Sequence, residues 1–217
     1  MKIGSDAVLM GALLSLKSDR KFALEIGTGS GVIALMIAQR HPELEIDAIE
    51  IDAASHEQAT ENFSKSIFSN RIKASNIDLL ELDETHKYDA IFSNPPYFYH
   101  SLKNDNQQKS IARHIDWLDF KLWLDKVNRI THDSSELSFI VPLEAFERIN
   151  EYLSELGFNL SFDCSIKSFE HSEIIRKLCT WTKAKAETNQ IDFVIYQSEK
   201  VHSDQYIQAL KDYLIIY

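Results

Sequence analysis

The tetrad Asn94-Pro95-Pro96-Tyr97 combines residue types that suit one task, the orientation of a planar amino group. Two successive prolines lock φ and remove two N–H donors, so the Asn94 amide oxygen and the Pro95 carbonyl project as fixed acceptors beside the Tyr97 ring. An exocyclic NH₂ could donate to both while its ring stacks on Tyr97, which would aim a weak nitrogen nucleophile at a methyl donor. The same residues also make an ordinary strand-to-loop exit, because Asn and Pro are common in turns.

A second constellation lies upstream, in Leu24-Glu25-Ile26-Gly27-Thr28-Gly29-Ser30-Gly31. Three glycines between an apolar run and a helical one permit a tight turn and close backbone approach to a ligand. The spacing is Gly-x-Gly-x-Gly, whereas the dinucleotide fingerprint has Gly-x-Gly-x-x-Gly. Glu25 precedes the turn, where a carboxylate would repel a pyrophosphate and attract a cationic amine. S-adenosylmethionine carries such an ammonium and no phosphate. Glu50, in Ala48-Ile49-Glu50-Ile51-Asp52, stands at the separation where a carboxylate accepts both ribose hydroxyls. Asp78 could accept from an adenine amino group while Ile77 covers the ring. The candidate cofactor set is therefore Glu25, Gly27, Thr28, Gly29, Gly31, Glu50, Ile51, Ile77, Asp78 and Asn94. The plain alternatives are a helix-entry turn for the glycines and solvated strand ends for the acids.

The elements that must position these residues alternate between strand-like and helical patterns, the mark of a mostly parallel twisted sheet with helices on both faces. The reading is a helix over 5–16, a strand over 22–26, a helix over 32–40 ended by Pro42, a strand over 45–51 and a helix over 53–66. Strands at 71–75 and 88–93 precede a long polar connection, 98–114, of a length that is usually functional. A helix over 116–130, a strand over 137–141 and a helix over 143–156 follow. Three β-runs come next, at 159–167, 173–182 and 191–196, with a closing helix over 203–214. Glu187-Thr188-Asn189-Gln190 suggests a hairpin, so the last strands are expected as antiparallel additions. One domain covers 1–217, with an N-terminal helix in 1–20, a cofactor-binding and catalytic core in 21–141 and a C-terminal helix and strands in 142–217.

Composition narrows the function. The net charge is −10, which alone disfavours a nucleic-acid partner. Its distribution is uneven: residues 43–89 hold 12 acids against 4 bases, whereas 101–114 and 163–186 each carry an excess of two positive charges. Lys103, Arg113 and His114 fall in the long connection, where they could meet an RNA backbone or simply be solvated. Phe98 could add stacking surface there. The apolar segment 7–16 is too short to span a bilayer, and Asp6 ahead of it argues against a signal peptide. The expected location is the cytoplasm. Two cysteines without a Cys-x-x-Cys pair and eight scattered histidines predict neither a disulfide framework nor a metal site.

Together, Glu25 to Gly31, Glu50, Asp78 and Asn94 to Tyr97 resemble the motif set of class I S-adenosylmethionine-dependent methyltransferases of the amino-methylating branch. Met1-Lys2-Ile3-Gly4-Ser5-Asp6, Ser93 to Phe98, Ser101-Leu102-Lys103, Ala112-Arg113-His114 and the stretch 206–213 more closely resemble the bacterial tRNA(Val) adenine-N6 methyltransferase family, which modifies adenosine 37. That resemblance implies a Rossmann-like α/β fold, S-adenosyl-L-methionine as cofactor and S-adenosyl-L-homocysteine as product. It also implies tRNA as partner, Asn94, Pro95, Pro96 and Tyr97 as catalytic residues, and Phe98, Lys103, Arg113 and His114 on the RNA side. No membrane or metal partner and a monomeric state are expected. Family members usually carry a further segment ahead of the block with which this sequence opens, a departure that bears on closure of the cofactor pocket and on part of the RNA surface. The rival readings are a methyltransferase for a release-factor glutamine amide, a DNA adenine methyltransferase, an NAD-dependent dehydrogenase and a non-catalytic RNA-binding module.

Overall fold

The computed structural model describes residues 3–95 and 117–214. Strand and helix alternate as α1 (Ser5–Leu13), β1 (Phe22–Ile26), α2 (Val32–Arg40), β2 (Glu45–Ile49), α3 (Ala53–Lys65), β3 (Ile72–Ser75), a 3-10 turn at Leu79–Glu81 and β4 (Tyr88–Ser93). They continue as α4 (Trp117–Arg129), β5 (Thr131–Val141), α5 (Leu143–Glu155), β6 (Asn159–Lys167), β7 (Ile174–Thr182), β8 (Asn189–Val194), β9 (Tyr196–Ser198), β10 (Val201–His202) and α6 (Asp204–Leu210).

Eight strands form one sheet in the order β3-β2-β1-β4-β5-β7-β6-β8. The central strands are apolar on both faces, as a sheet covered from both sides requires. Alternate residues of β1 and β4 feed two cores. Ala23, Ala90 and Phe92 join one with α1, α2 and α3, while Leu24, Ile26 and Ile91 join the other with α4 and α5. α4 is helical because Phe120, Leu124 and Val127 recur at helical spacing on one buried face. Burying each such side chain contributes about 1.5–3 kcal/mol. In the middle of β5, buried Glu136 accepts from Arg20 Nε at 3.0 Å, tying the segment before β1 to the sheet.

Several sequence expectations are corrected. α1 stops at Leu13, three residues early, because Leu14 adopts extended geometry (ψ 118°). β2 ends at Ile49 rather than 51, which leaves Glu50 and Ile51 beyond the strand. β5 starts at Thr131, six residues early, and its polar beginning is supported by Ser135 Oγ donating to the Tyr88 carbonyl at 2.7 Å. The hairpin expected between the last two long strands does not form. β8 pairs in parallel with β6, and only β7 runs against its neighbours. The closing helix ends at Leu210.

Candidate functional site

Register, more than sequence distance, assembles the site. Ile26 at the end of β1 lies beside Ile49 of β2 and Ser93 of β4, and Ile49 lies beside Ser75 of β3. The residues that follow, Gly27, Glu50, Asn76 and Asn94, therefore leave the sheet side by side along its carboxyl edge. β1 is the strand where the connections switch direction, the place where open α/β sheets form a binding crevice.

The glycine turn is built for close approach. Gly27 (φ 71°) and Gly31 (φ 82°) occupy the left-handed region that side chains disfavour. A Cβ on Gly27 would meet only open space, whereas one on Gly31 would lie 2.4 Å from the Phe63 ring of α3. Gly27 and Thr28 both donate to the Ile49 carbonyl, at 2.9 and 3.1 Å. The Glu50 carboxylate accepts from Gly29 N at 2.9 Å and from Asp52 N at 3.0 Å. It is thus both the strand-end acid and the clamp that fixes the turn.

Glu25 is fully buried, and Thr28 Oγ1 donates to its Oε2 at 2.5 Å. Its Oε1 has no hydrogen-bond partner among the described residues. Burial pushes the carboxyl up to about 8; the Thr28 hydroxyl and the Ala34 amide oppose the rise, and the charge of Glu50 adds to it. An acid so placed is short of a cation or donor. The S-adenosylmethionine ammonium answers that shortage, so the residues present fit this cofactor.

Asn94 is half-buried and Pro95 buried, immediately after β4. Ser93 Oγ donates to the Ile26 carbonyl at 2.7 Å, stapling the strand that carries Asn94 to the strand that carries the glycine turn. Ile51 is 69% exposed, an open apolar face beside Glu50. Asp78 follows β3 on the far side of β2, and its Oδ1 accepts from Leu80 N at 2.9 Å as the cap of the 3-10 turn, with Ile77 packed against the apolar core. Glu25, Gly27, Thr28, Gly29, Gly31, Glu50, Ile51, Asn94 and Pro95 are brought to one edge, and Ile77 and Asp78 flank them. Pro96, Tyr97, Phe98, Lys103, Arg113 and His114 lie outside the described residues.

Sequence reasoning missed the supports. Asn76 Nδ2 donates to the carbonyls of Glu50, at 2.7 Å, and Ile51, at 3.1 Å. Asn62 Nδ2 donates to the Ser30 carbonyl at 2.8 Å. Asn76 had a legible signal, a polar residue directly after a strand; Asn62 sits on a helix face with none. Ser5 is the first helical residue of α1 and Gly4 its cap. Asp6 accepts from Arg176 Nε of β7 at 2.8 Å, tying α1 to the C-terminal strands.

The fold and this edge define a methyltransferase. The methyltransferase small domain family model matches residues 3–116. A predicted O-methyltransferase from Agrobacterium tumefaciens shares the fold with a TM-score of 0.71 at 16% identity over 95% of each chain. A ribosomal protein L11 methylase from Lactobacillus delbrueckii subsp. bulgaricus does so with 0.56 at 15% identity, over 82% of this chain and 78% of that one. Among relatives, the tRNA1(Val) (adenine(37)-N6)-methyltransferase of Phocaeicola vulgatus is 36% identical over 99% of this chain and 91% of that protein. The protein of the same name from Pedobacter heparinus is 34% identical over 100% and 92%. The chain belongs to the methyltransferase small domain family and, within it, to the tRNA1(Val) (adenine(37)-N6)-methyltransferase family.

Among the described residues, no helix is long and apolar enough to cross a membrane, and no group of three or more His, Cys, Asp and Glu residues could hold a metal ion.

Proposed function

We propose that this protein methylates the exocyclic N6 of adenosine 37 in tRNA(Val), as one methyltransferase domain acting as a cytoplasmic monomer. The observation that carries the reading is the register that sets Asn94 beside the glycine turn and Glu50 on one sheet edge. When bound, S-adenosylmethionine supplies a methyl group on a positively charged sulfur, which leaves as S-adenosylhomocysteine.

The chain's own residues do the rest. Glu25 meets the ammonium, Glu50 the ribose hydroxyls, and Ile51 and Ile77 cover the adenine, whose amino group Asp78 accepts from. Asn94 and Pro95 accept from the target amino group, which turns its lone pair out of conjugation and toward the methyl carbon. As that nitrogen becomes positive, the same oxygens stabilise the charge, and one of its protons is then lost to solvent to leave neutral N6-methyladenosine. Pro96 stiffens the acceptor pair, and Tyr97 holds the flipped base by stacking. Phe98, Lys103, Arg113 and His114 meet the RNA around it. An anticodon loop suits this mechanism because its bases are unpaired, so extruding one costs less than in a duplex.

The test is incubation with labelled S-adenosylmethionine and total tRNA from a strain lacking the enzyme, followed by nucleoside analysis. Labelled N6-methyladenosine is the expected product. Label that appears only when a translation release factor is supplied would replace this reading with glutamine-amide methylation.

A further inference from the structure

The C-terminal strands carry their loops to the reaction edge. β7 opposes β5, β6 opposes β7 and β8 follows β6, so the carboxyl ends of β6 and β8 point the same way as those of β1 and β4. At that edge four rings form a column. Phe169 lies 5.7 Å from Tyr196, Tyr196 is stacked 5.2 Å from His202 and His202 4.2 Å from Tyr206, the last two pairs within 19° of parallel.

Each ring is held by backbone. Phe169 N donates to Ser172 Oγ and Ser172 N donates to the Phe169 carbonyl, both at 3.0 Å. Tyr196 and His202 are partners across the β9–β10 hairpin. Tyr206 lies in the first turn of α6, where its N–H donates to Ser203 Oγ at 3.1 Å. Tyr196 and Tyr206 pack against the core, but Phe169 ends the column with 41% of its surface exposed.

We infer that this column is a second RNA contact, in which an unpaired base of the substrate tRNA stacks on the outer face of Phe169. The inference rests on the tRNA-methyltransferase reading. β6 stands three strand spacings from β4, about 15 Å, a span that some four nucleotides cover at roughly 3.4 Å rise each. The stacked base is therefore a neighbour of the target, not the target. Charge fixes the kind of contact. Lys167, His171 and Lys200 are outnumbered by Glu170, Glu173, Asp192, Glu199 and Asp204, so the column offers base planes rather than phosphate neutralisation.

The experiment measures methyl transfer to purified tRNA by wild type, Phe169→Ala and Phe169→Trp, with S-adenosylhomocysteine affinity and thermal midpoint as controls. Phe169→Ala should raise KM for tRNA roughly tenfold, within the range of a lost base stack, with kcat and homocysteine-product affinity unchanged. Phe169→Trp should restore KM, and the salt dependence of tRNA binding should be the same in all three. A KM for Phe169→Ala within twofold of wild type overturns the stacking site alone and leaves the column a packing feature. A wild-type protein that binds S-adenosylhomocysteine yet methylates no tRNA sinks the parent reading and this site with it.

Discussion

The two edges of the sheet are made by the same strands and are used in opposite ways. At the amino edge, charges are satisfied within the protein. Arg20 serves both Glu136 and the Ser134 carbonyl, and Asp89 accepts from the Lys21 and Phe22 amides and pairs with His132 at 2.8 Å. At the carboxyl edge, Glu25 is buried with an oxygen unpaired, Ile51 is uncovered and Gly27 faces open space. One edge has settled its polar groups to hold the fold; the other leaves the Glu25 Oε1 unmatched for a ligand. The fold therefore tolerates chemistry at one edge because its electrostatics are closed at the other.

Substitutions at the two edges should separate accordingly. The largest effect is expected from Asn94→Ala, which should cut kcat by 10² or more, as loss of an oriented acceptor does. Its thermal midpoint should match wild type, and S-adenosylhomocysteine affinity reports separately the share of Asn94 in holding the cofactor. Transfer near the wild-type rate with binding intact would remove Asn94 from the mechanism. At the other edge, Glu136→Ala removes the buried carboxylate partner of Arg20 and should destabilise by about 3 kcal/mol, read by urea unfolding, while kcat of the folded fraction is unchanged. A loss of activity without a loss of stability would erase the contrast between the edges.

The mildest effect concerns protons. Because burial holds the Glu25 carboxyl near 8, above its unfolded value, the free protein loses stability as pH climbs from the ordinary carboxylate range toward 8. A ligand ammonium favours the ionised acid, so S-adenosylhomocysteine affinity should strengthen from pH 6 to 8, by at most tenfold per unit. Calorimetric titration of wild type and Glu25→Gln checks this. An equally steep rise in the variant would assign the proton elsewhere.

Much of the cofactor edge was legible because its signals are local. A glycine turn between a strand and a helix, an acid past the next strand and an Asn-Pro pair past β4 each announce themselves within a few residues. What was not legible is pairing between distant segments. The alternating run that became β8 reads equally well as the partner of β7 or of β6. The outcome is decided by contacts such as Thr188 Oγ1 donating to the Leu160 carbonyl at 2.8 Å, which no local pattern encodes. The early start of β5 was hidden for a related reason. His132-Asp133-Ser134 is polar, and His132 becomes strand-compatible only once Asp89 lies beside it. Asn62 escaped notice because its partner is a carbonyl on a distant turn, and carbonyls leave no trace in sequence.

Gly31 and Phe63 show how such a site constrains its own history. The aromatic ring occupies the volume any side chain at 31 would need, and the left-handed backbone there penalises one even if the ring were trimmed. Position 63 can thus shrink only by opening a cavity in the core, while position 31 cannot grow at all. The coupling works as a ratchet: drift in α3 can loosen the seat of the turn, but no repair can come from the turn itself.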